Sequence, residues 1–366
     1  MKRIIALVLT LMLLVPTFAL PAAAAEEELP HYNIGVVIHT TTDFLCSKYK
    51  AYSEYIGKNF NVDFTYYILS SFDDDVYLAA IETLCGQGMD AIITTNFSGS
   101  TILKGIKICE DYGVYMAVGW SHVEPEDLAQ AQASPYFVGS SYEDDYNAGY
   151  ALVKSCYDAG KRNILAIGYE PGITCHDQRW NGMMQAFDDL GIKPAGEYRG
   201  LEFSDAVESY LAMDKSIDAI CITLMGLEYT KQPIANVGKT GQIIVACVDF
   251  SDTTGEALAN GDLSLTIGGQ YVDVAYSFIL LYNALRGTPL ADKPVEVPVN
   301  FISTYNAQEF DDYMKYVHND IFAYTADEIK SMIKVFNPDA SADQLLKMGS
   351  TFSIEDCKTR HADLLK

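Results

Sequence analysis

The chain alternates between two hydrophobic periods. Ile34-Gly-Val-Val-Ile38 is a short apolar, β-branched run, the pattern of a strand buried on both faces. Helical spacing follows over about Phe44–Asn59, and Val62–Ile68 reads as a second strand. Asp73–Gly86 predicts a helix whose acidic residues sit where a helix N-terminus favours them. Asp90–Thr95 is a third strand. Ile102, Ile106 and Cys109 then share one helical face that Gly113 ends, and Val114–Val118 is a fourth strand. The rhythm restarts at Tyr136-Phe-Val-Gly139. Next come a helix over Asp144–Ala159, a strand at Asn163–Gly168, a helix over Arg179–Leu190, and strands at Ile217–Thr223 and Gln242–Val248. Tyr271–Arg286 is a strongly apolar helix, and Pro294–Ile302 reads as an extended crossing segment. Glu309–Val317, Ala326–Phe336 and Ala342–Met348 predict further helices.

Two successive βα blocks imply an α/β protein of two doubly wound parallel-sheet lobes. Right-handed crossovers put the C-terminal ends of the strands on one edge of each sheet, and ligands bind outside that edge. With two lobes, the natural pocket is the cleft between them.

One apolar stretch does not fit this rhythm. Lys2 and Arg3 precede the run Ile4–Leu20, and Ala23-x-Ala25 stands before Glu26. This is the layout of a secretory signal peptide over residues 1–25, a retained anchor being the alternative. The first cysteine is Cys46, so no lipid-anchor cysteine follows the run. A periplasmic or extracellular location is expected.

Charge narrows the partners. The 366 residues carry 25 Lys+Arg against 49 Asp+Glu, a net −24 that repels phosphate backbones and argues against nucleic acid. The eight cysteines form no CxxC and no Cys/His cluster of zinc spacing. Cys85, Cys109, Cys221 and Cys247 read as small buried hydrophobes, one disulfide remaining open. No metal site and no cofactor is expected. Gly-x-Ser-x-Gly, a phosphate-binding glycine loop and His-Glu-x-x-His are all missing from the sequence, and Cys175-His176 is its only adjacent cysteine–histidine pair. An enzyme is therefore not expected.

Six short segments, in register, carry a resemblance. Ile34–Ile38 with Thr40-Thr-Thr-Asp-Phe44 resembles a first strand and ligand loop. Gln87-Gly-Met-Asp-Ala-Ile-Ile93 resembles "QGVDAII". Val138-Gly-Ser140 with Asn147-Ala-Gly149 resembles "VGSDNYxAG". Asp177-Gln-Arg179 with Gly182–Phe187 resembles "xxxRxxGFxxAL". Val248-Asp-Phe250 resembles "VGFD", and Gly261–Leu263 with Leu265–Ile267 and Gln270 resembles "GxLxATVAQ". Over about residues 33–302 the chain thus resembles the type I periplasmic sugar-binding proteins, the ribose/galactose-binding components of ABC importers.

The resemblance implies an N-lobe of 31–135 plus 269–297 and a C-lobe of 136–268 plus 298–366, joined by a three-crossing hinge. Residues 303–366 form a helical extension on the C-lobe. It also implies a monomer that captures a small neutral polar ligand, most simply a sugar, and hands it to a membrane ABC permease. A sensor feeding a histidine kinase or chemoreceptor, and a binder of nucleosides or other polar rings, are the alternatives. Arg179 and Asp249 are the expected polar ligand contacts, the first for its paired donors and the second for its paired acceptors. Phe44 and Trp120 would cover the apolar face of a sugar. Gln270, Asn96, Asp43 and Thr42 line the same predicted edge, with His39 either a contact or a satisfied interior histidine. Trp120-Ser121 and Leu224-Met225-Gly226 depart from the family pattern, which argues against a pentose held in the usual way.

Overall fold

The computed structural model describes residues 29–95 and 97–365. The expected signal peptide and Asn96 lie outside the described residues.

Two six-stranded sheets organise the molecule. The first is built from β1 (Tyr32–Ile38), α1 (Phe44–Phe60), β2 (Val62–Ile68), α2 (Asp74–Gly86), β3 (Ala91–Thr94), α3 (Gly99–Tyr112), β4 (Tyr115–Gly119), α4 (Pro125–Ala131) and β5 (Phe137–Glu143). The chain then enters the second lobe through α5 (Asp145–Asp158), β6 (Ile164–Gly168), α6 (Thr174–Asp189), β7 (Gly196–Arg199), α7 (Phe203–Met213), β8 (Ala219–Ile222), α8 (Gly226–Asn236), β9 (Ile244–Val248), α9 (Thr254–Asn260) and β10 (Leu263–Gly268). It returns through a 3-10 turn at Gln270–Val272 into α10 (Asp273–Leu285) and β11 (Val295–Val299), and crosses once more to β12 (Ile302–Thr304). Helices α11 (Ala307–Tyr316), α12 (Ala326–Ser331), α13 (Ala342–Thr351) and α14 (Ile354–Arg360) complete it.

The first sheet has the order β11-β5-β4-β3-β1-β2 and the second β12-β10-β9-β8-β6-β7. Every pairing is parallel except β10 with β12. The central strands β3, β6 and β8 are buried along their whole length, as their apolar runs require. Side-chain caps set several helix starts: Asp43, Asp73, Ser98 and Asp144 each accept a backbone N–H of the following turn.

Three expectations are corrected. Tyr136–Gly139 does not open the second lobe: β5 pairs with β4 and β11 in the first sheet, so the first crossing falls at Glu143–Asp145. A restart of the βα rhythm marks a new unit, but which sheet accepts the strand is a tertiary matter. The α6 helix begins at Thr174, which puts Arg179 in its second turn rather than at its start.

Third, residues 303–366 do not stay on the second lobe. β12 and α11 do, with Phe310 against Phe250 at 5.4 Å. From Val317 onward the chain returns to α1 and α10. Lys48 Nζ donates to the Asn319 carbonyl (2.7 Å), Tyr52 to the Tyr324 carbonyl (2.8 Å), and the Ala326 N–H to Tyr55 (2.9 Å). The physical reason is α10: all but its last residue are buried, including Asn283. The tail supplies Asn283 with partners, accepting at the Met332 carbonyl (3.0 Å) and donating from the Lys334 N–H (2.9 Å).

Candidate functional site

The two sheets turn their C-terminal edges toward each other, and a cavity of ≈ 340 Å³ lies between them. That is near the small end of the roughly 300–1,000 Å³ of small-molecule pockets. Its walls come from strand ends. His39 follows β1 and Trp120 follows β4 on the first lobe; Tyr169 follows β6, Met225 β8 and Asp249 β9 on the second; Gln270 sits on the crossing after β10.

Trp120 is 5% exposed and held in the left-handed region (φ 57°). Its backbone N–H donates to Asp273 Oδ2 (3.0 Å) and its Nε1–H to the Gln270 carbonyl (2.7 Å). Tyr49 meets the ring edge-on at 5.0 Å. An aromatic face fixed from three sides is a rigid floor for a ligand. Gln270 in turn donates from Nε2 to Asp249 Oδ1 (2.8 Å), and Asp249 Oδ2 accepts the Met225 N–H (3.3 Å). Asp249 also has positive φ (73°). Burial pushes its carboxyl upward, with Arg179 working the other way.

Asp43 caps α1 by accepting the Cys46 N–H at Oδ1 (2.6 Å). Burial opposes its charge, yet His39 and that N–H hold the carboxyl below its usual range. Phe44 lines the cavity and stacks on His318 of the tail, centroids 4.5 Å apart.

Arg179 reaches the cavity but not as a free fork. Nε donates to Asp145 Oδ1 (2.7 Å) and Nη1 to the Thr223 carbonyl (3.0 Å), with both charged side chains buried. Nη2 takes part in neither bond. The expected pair of donors to a ligand is thus reduced, because α5 presents Asp145 to the same guanidinium. Thr42 is exposed and bonds Thr40 Oγ1 (3.1 Å); it does not line the cavity.

Several lining residues were not expected as solute contacts, His176 having been read only as half of the Cys175-His176 pair. His176 stacks on Tyr169 at 4.8 Å, and burial beside Arg179 drives it well below its usual pKa, so it is neutral. Its Nδ1 is buried without a hydrogen-bond partner, as is Nδ1 of His39. Phe72, Phe203 and Tyr229 add aromatic wall, and Glu228 an exposed carboxylate whose pKa burial and the neighbouring Asp43 and Asp249 raise. The position of each one turn or one loop past a strand end was the available signal.

No Cys/His cluster was expected, yet the β1–α1 loop and the first turn of α1 gather His39, Asp43 and Cys46, their ligating atoms all within 4.8 Å of one another. The eight cysteines, all among the described residues, form no disulfide and are buried.

Residues 34–289 match a family described as periplasmic binding protein domain. No curated protein matches the sequence. A periplasmic sugar-binding protein from Pseudomonas fluorescens superimposes with a TM-score of 0.71 at 14% identity, covering 88% of this chain and 99% of that one. A periplasmic solute-binding protein of an ABC transporter from Actinobacillus succinogenes, with bound D-allose, gives 0.66 at 17% identity over 77% of this chain and 100% of that one. A solute-binding protein from Bacillus halodurans, with bound myo-inositol, gives 0.65 at 18% identity over 78% and 98%. The two-lobe fold is shared throughout.

Proposed function

The chain belongs to the periplasmic binding protein domain family, and on that premise we propose that it captures a small, neutral, hydroxyl-rich solute, most simply a sugar, outside the cytoplasmic membrane and delivers it to an ABC permease. The observation that carries this reading is the cavity walled by both lobes, with aromatic faces set against polar groups. An aromatic ring covers the C–H face of a sugar, and carboxylates accept from its hydroxyls.

The charge of the cavity narrows the class. Asp43, Asp249 and Glu228 face it, while Arg179, the one lining Lys or Arg among the described residues, is already neutralised by Asp145. A ligand with its own carboxylate or phosphate meets net repulsion, which the low-dielectric interior strengthens. Neutral polyols that donate hydrogen bonds are favoured. Closure about the crossings at Glu143–Asp145, Gly268–Asp273 and Val299–Ile302 would expel water and strengthen each bond. The family is one of binding proteins, and no turnover is part of this reading.

A thermal-shift screen across neutral monosaccharides, polyols, nucleosides, sugar acids and sugar phosphates tests it. A ligand raises the melting temperature by mass action. Stabilisation by neutral members alone is the expected result. Stabilisation by a sugar acid or sugar phosphate with none from its neutral counterpart would refute the assignment.

A further inference from the structure

The loop after β1 and the first turn of α1 bring three different ligand types to one point on the first-lobe side of the cleft. His39 Nε2 lies 3.5 Å from Asp43 Oδ2 and 3.6 Å from Cys46 Sγ. The first separation is long for a charge-assisted hydrogen bond, which runs ~2.7–2.9 Å. Both fit the edges of a coordination tetrahedron. With nitrogen and oxygen ~2.0–2.2 Å from a zinc-class ion and sulfur ~2.3 Å from it, N···O edges come to ~3.4 Å and N···S edges to ~3.6 Å.

We propose that His39, Asp43 and Cys46 bind a borderline-soft divalent transition-metal ion of the zinc class, with a fourth coordination position open to the cleft.

The surroundings support this beyond the distances. Asp43 Oδ1 is occupied by the Cys46 N–H, so Oδ2 is the oxygen left for the ion, and it is the one that faces His39. Phe72 and Trp120 flank the His39 ring at 5.5 and 6.4 Å and hold its orientation without a metal. Cys46 is wholly buried while His39 and Asp43 border the cavity, so the ion enters from the cleft. Imidazole, carboxylate and thiolate together suit zinc rather than calcium or magnesium, which take oxygen alone. Among the described residues no second trio of this kind gathers. On uptake the Cys46 S–H bond breaks, its proton leaves to solvent, and the sulfur electron pair forms the metal–sulfur bond.

Cobalt(II) is a direct probe, added to the full chain. The expected result is a thiolate-to-cobalt charge-transfer absorption that saturates at about one ion per chain and is displaced by Zn²⁺. Cys46→Ser abolishes the absorption and His39→Ala weakens cobalt binding at least ~10-fold, with circular dichroism unchanged. If Cys46→Ser fails to fold, a folded His39→Ala variant decides, since His39 borders the cavity rather than the core. No such absorption in the parent, or one that persists in Cys46→Ser or at parent affinity in His39→Ala, overturns the inference. A parent chain that binds its neutral solute but no cobalt removes the metal site and leaves the solute-binding reading intact.

Discussion

Arg179 and Asp145 sit 34 residues apart in sequence and meet only because α5 and α6 lie side by side. Removing the guanidinium leaves a buried carboxylate without its partner. Arg179→Ala is therefore expected to cost about 3–5 kcal/mol of stability as well as solute affinity; chemical denaturation checks the first and calorimetry the second. A variant of parent stability would show that the pair is not the anchor described.

The hinge holds a second buried charge problem. Glu143 Oε1 and Asp273 Oδ1 are buried without a donor. Burial and each other's charge raise Glu143 well above its usual range, and burial raises Asp273 to about 6. A proton shared between the two carboxyls satisfies both. Because the folded pKa of Glu143 lies well above its unfolded one, the stabilisation from the shared proton is fully present below the unfolded carboxyl range and is lost as pH rises through the raised Glu143 pKa. Glu143→Gln supplies an N–H donor that needs no such proton. Its melting temperature is expected to gain on the parent's as pH rises through the raised Glu143 pKa, and parallel profiles would contradict the shared proton. Neither pair was legible in the sequence. Asp249, Trp120, Phe44 and Asp43 were placed at the cleft by the βα rhythm together with the family resemblance, and Gln270 by its likeness to the family's hinge pattern. Partners across helices need the tertiary contact.

Elements were legible where a single period sufficed. β1, β6 and β9 follow from apolar runs, and α3 ends at Gly113 in the left-handed conformation expected of a glycine cap. What the pattern did not reveal is how closely elements approach. A Cβ on Gly149 would sit 1.9 Å from the Arg179 carbonyl oxygen, and one on Gly182 1.9 Å from that of Tyr146. The two glycines let α5 and α6 touch backbone to backbone, and this contact delivers Asp145 to Arg179. Gly182→Ala is expected to destabilise by about 1–3 kcal/mol and to weaken solute binding with it, since the helices must separate. Denaturation and calorimetry on the one variant test whether the two losses travel together. β5 was read into the wrong lobe for a related reason: its apolar pattern fits a strand in either sheet, and only pairing with β4 and β11 decides.

At the scale of the whole molecule the tail is the feature that distinguishes this chain from a plain pair of lobes. It leaves the second lobe at α11, passes His318 against Phe44, and packs from Tyr324 onward against α1 and α10. The Asn300 crossing is tied to it as well, through Asn300 Nδ2 to the Ser350 carbonyl (2.6 Å). Deleting residues 305–366 uncovers the apolar surface of α10 and strands Asn283, so the first lobe is expected to lose its cooperative melting transition; calorimetric scanning of the truncated chain checks this. A truncated chain that melts like the parent would show that the tail is dispensable.

The central claim is that two lobes close on a solute held between them. Small-angle X-ray scattering of the full chain, with and without a saturating neutral ligand from the thermal-shift screen, tests it most directly. A smaller radius of gyration in the bound state than in the free one is the expected result. A ligand that binds tightly while leaving the scattering curve unchanged would contradict it.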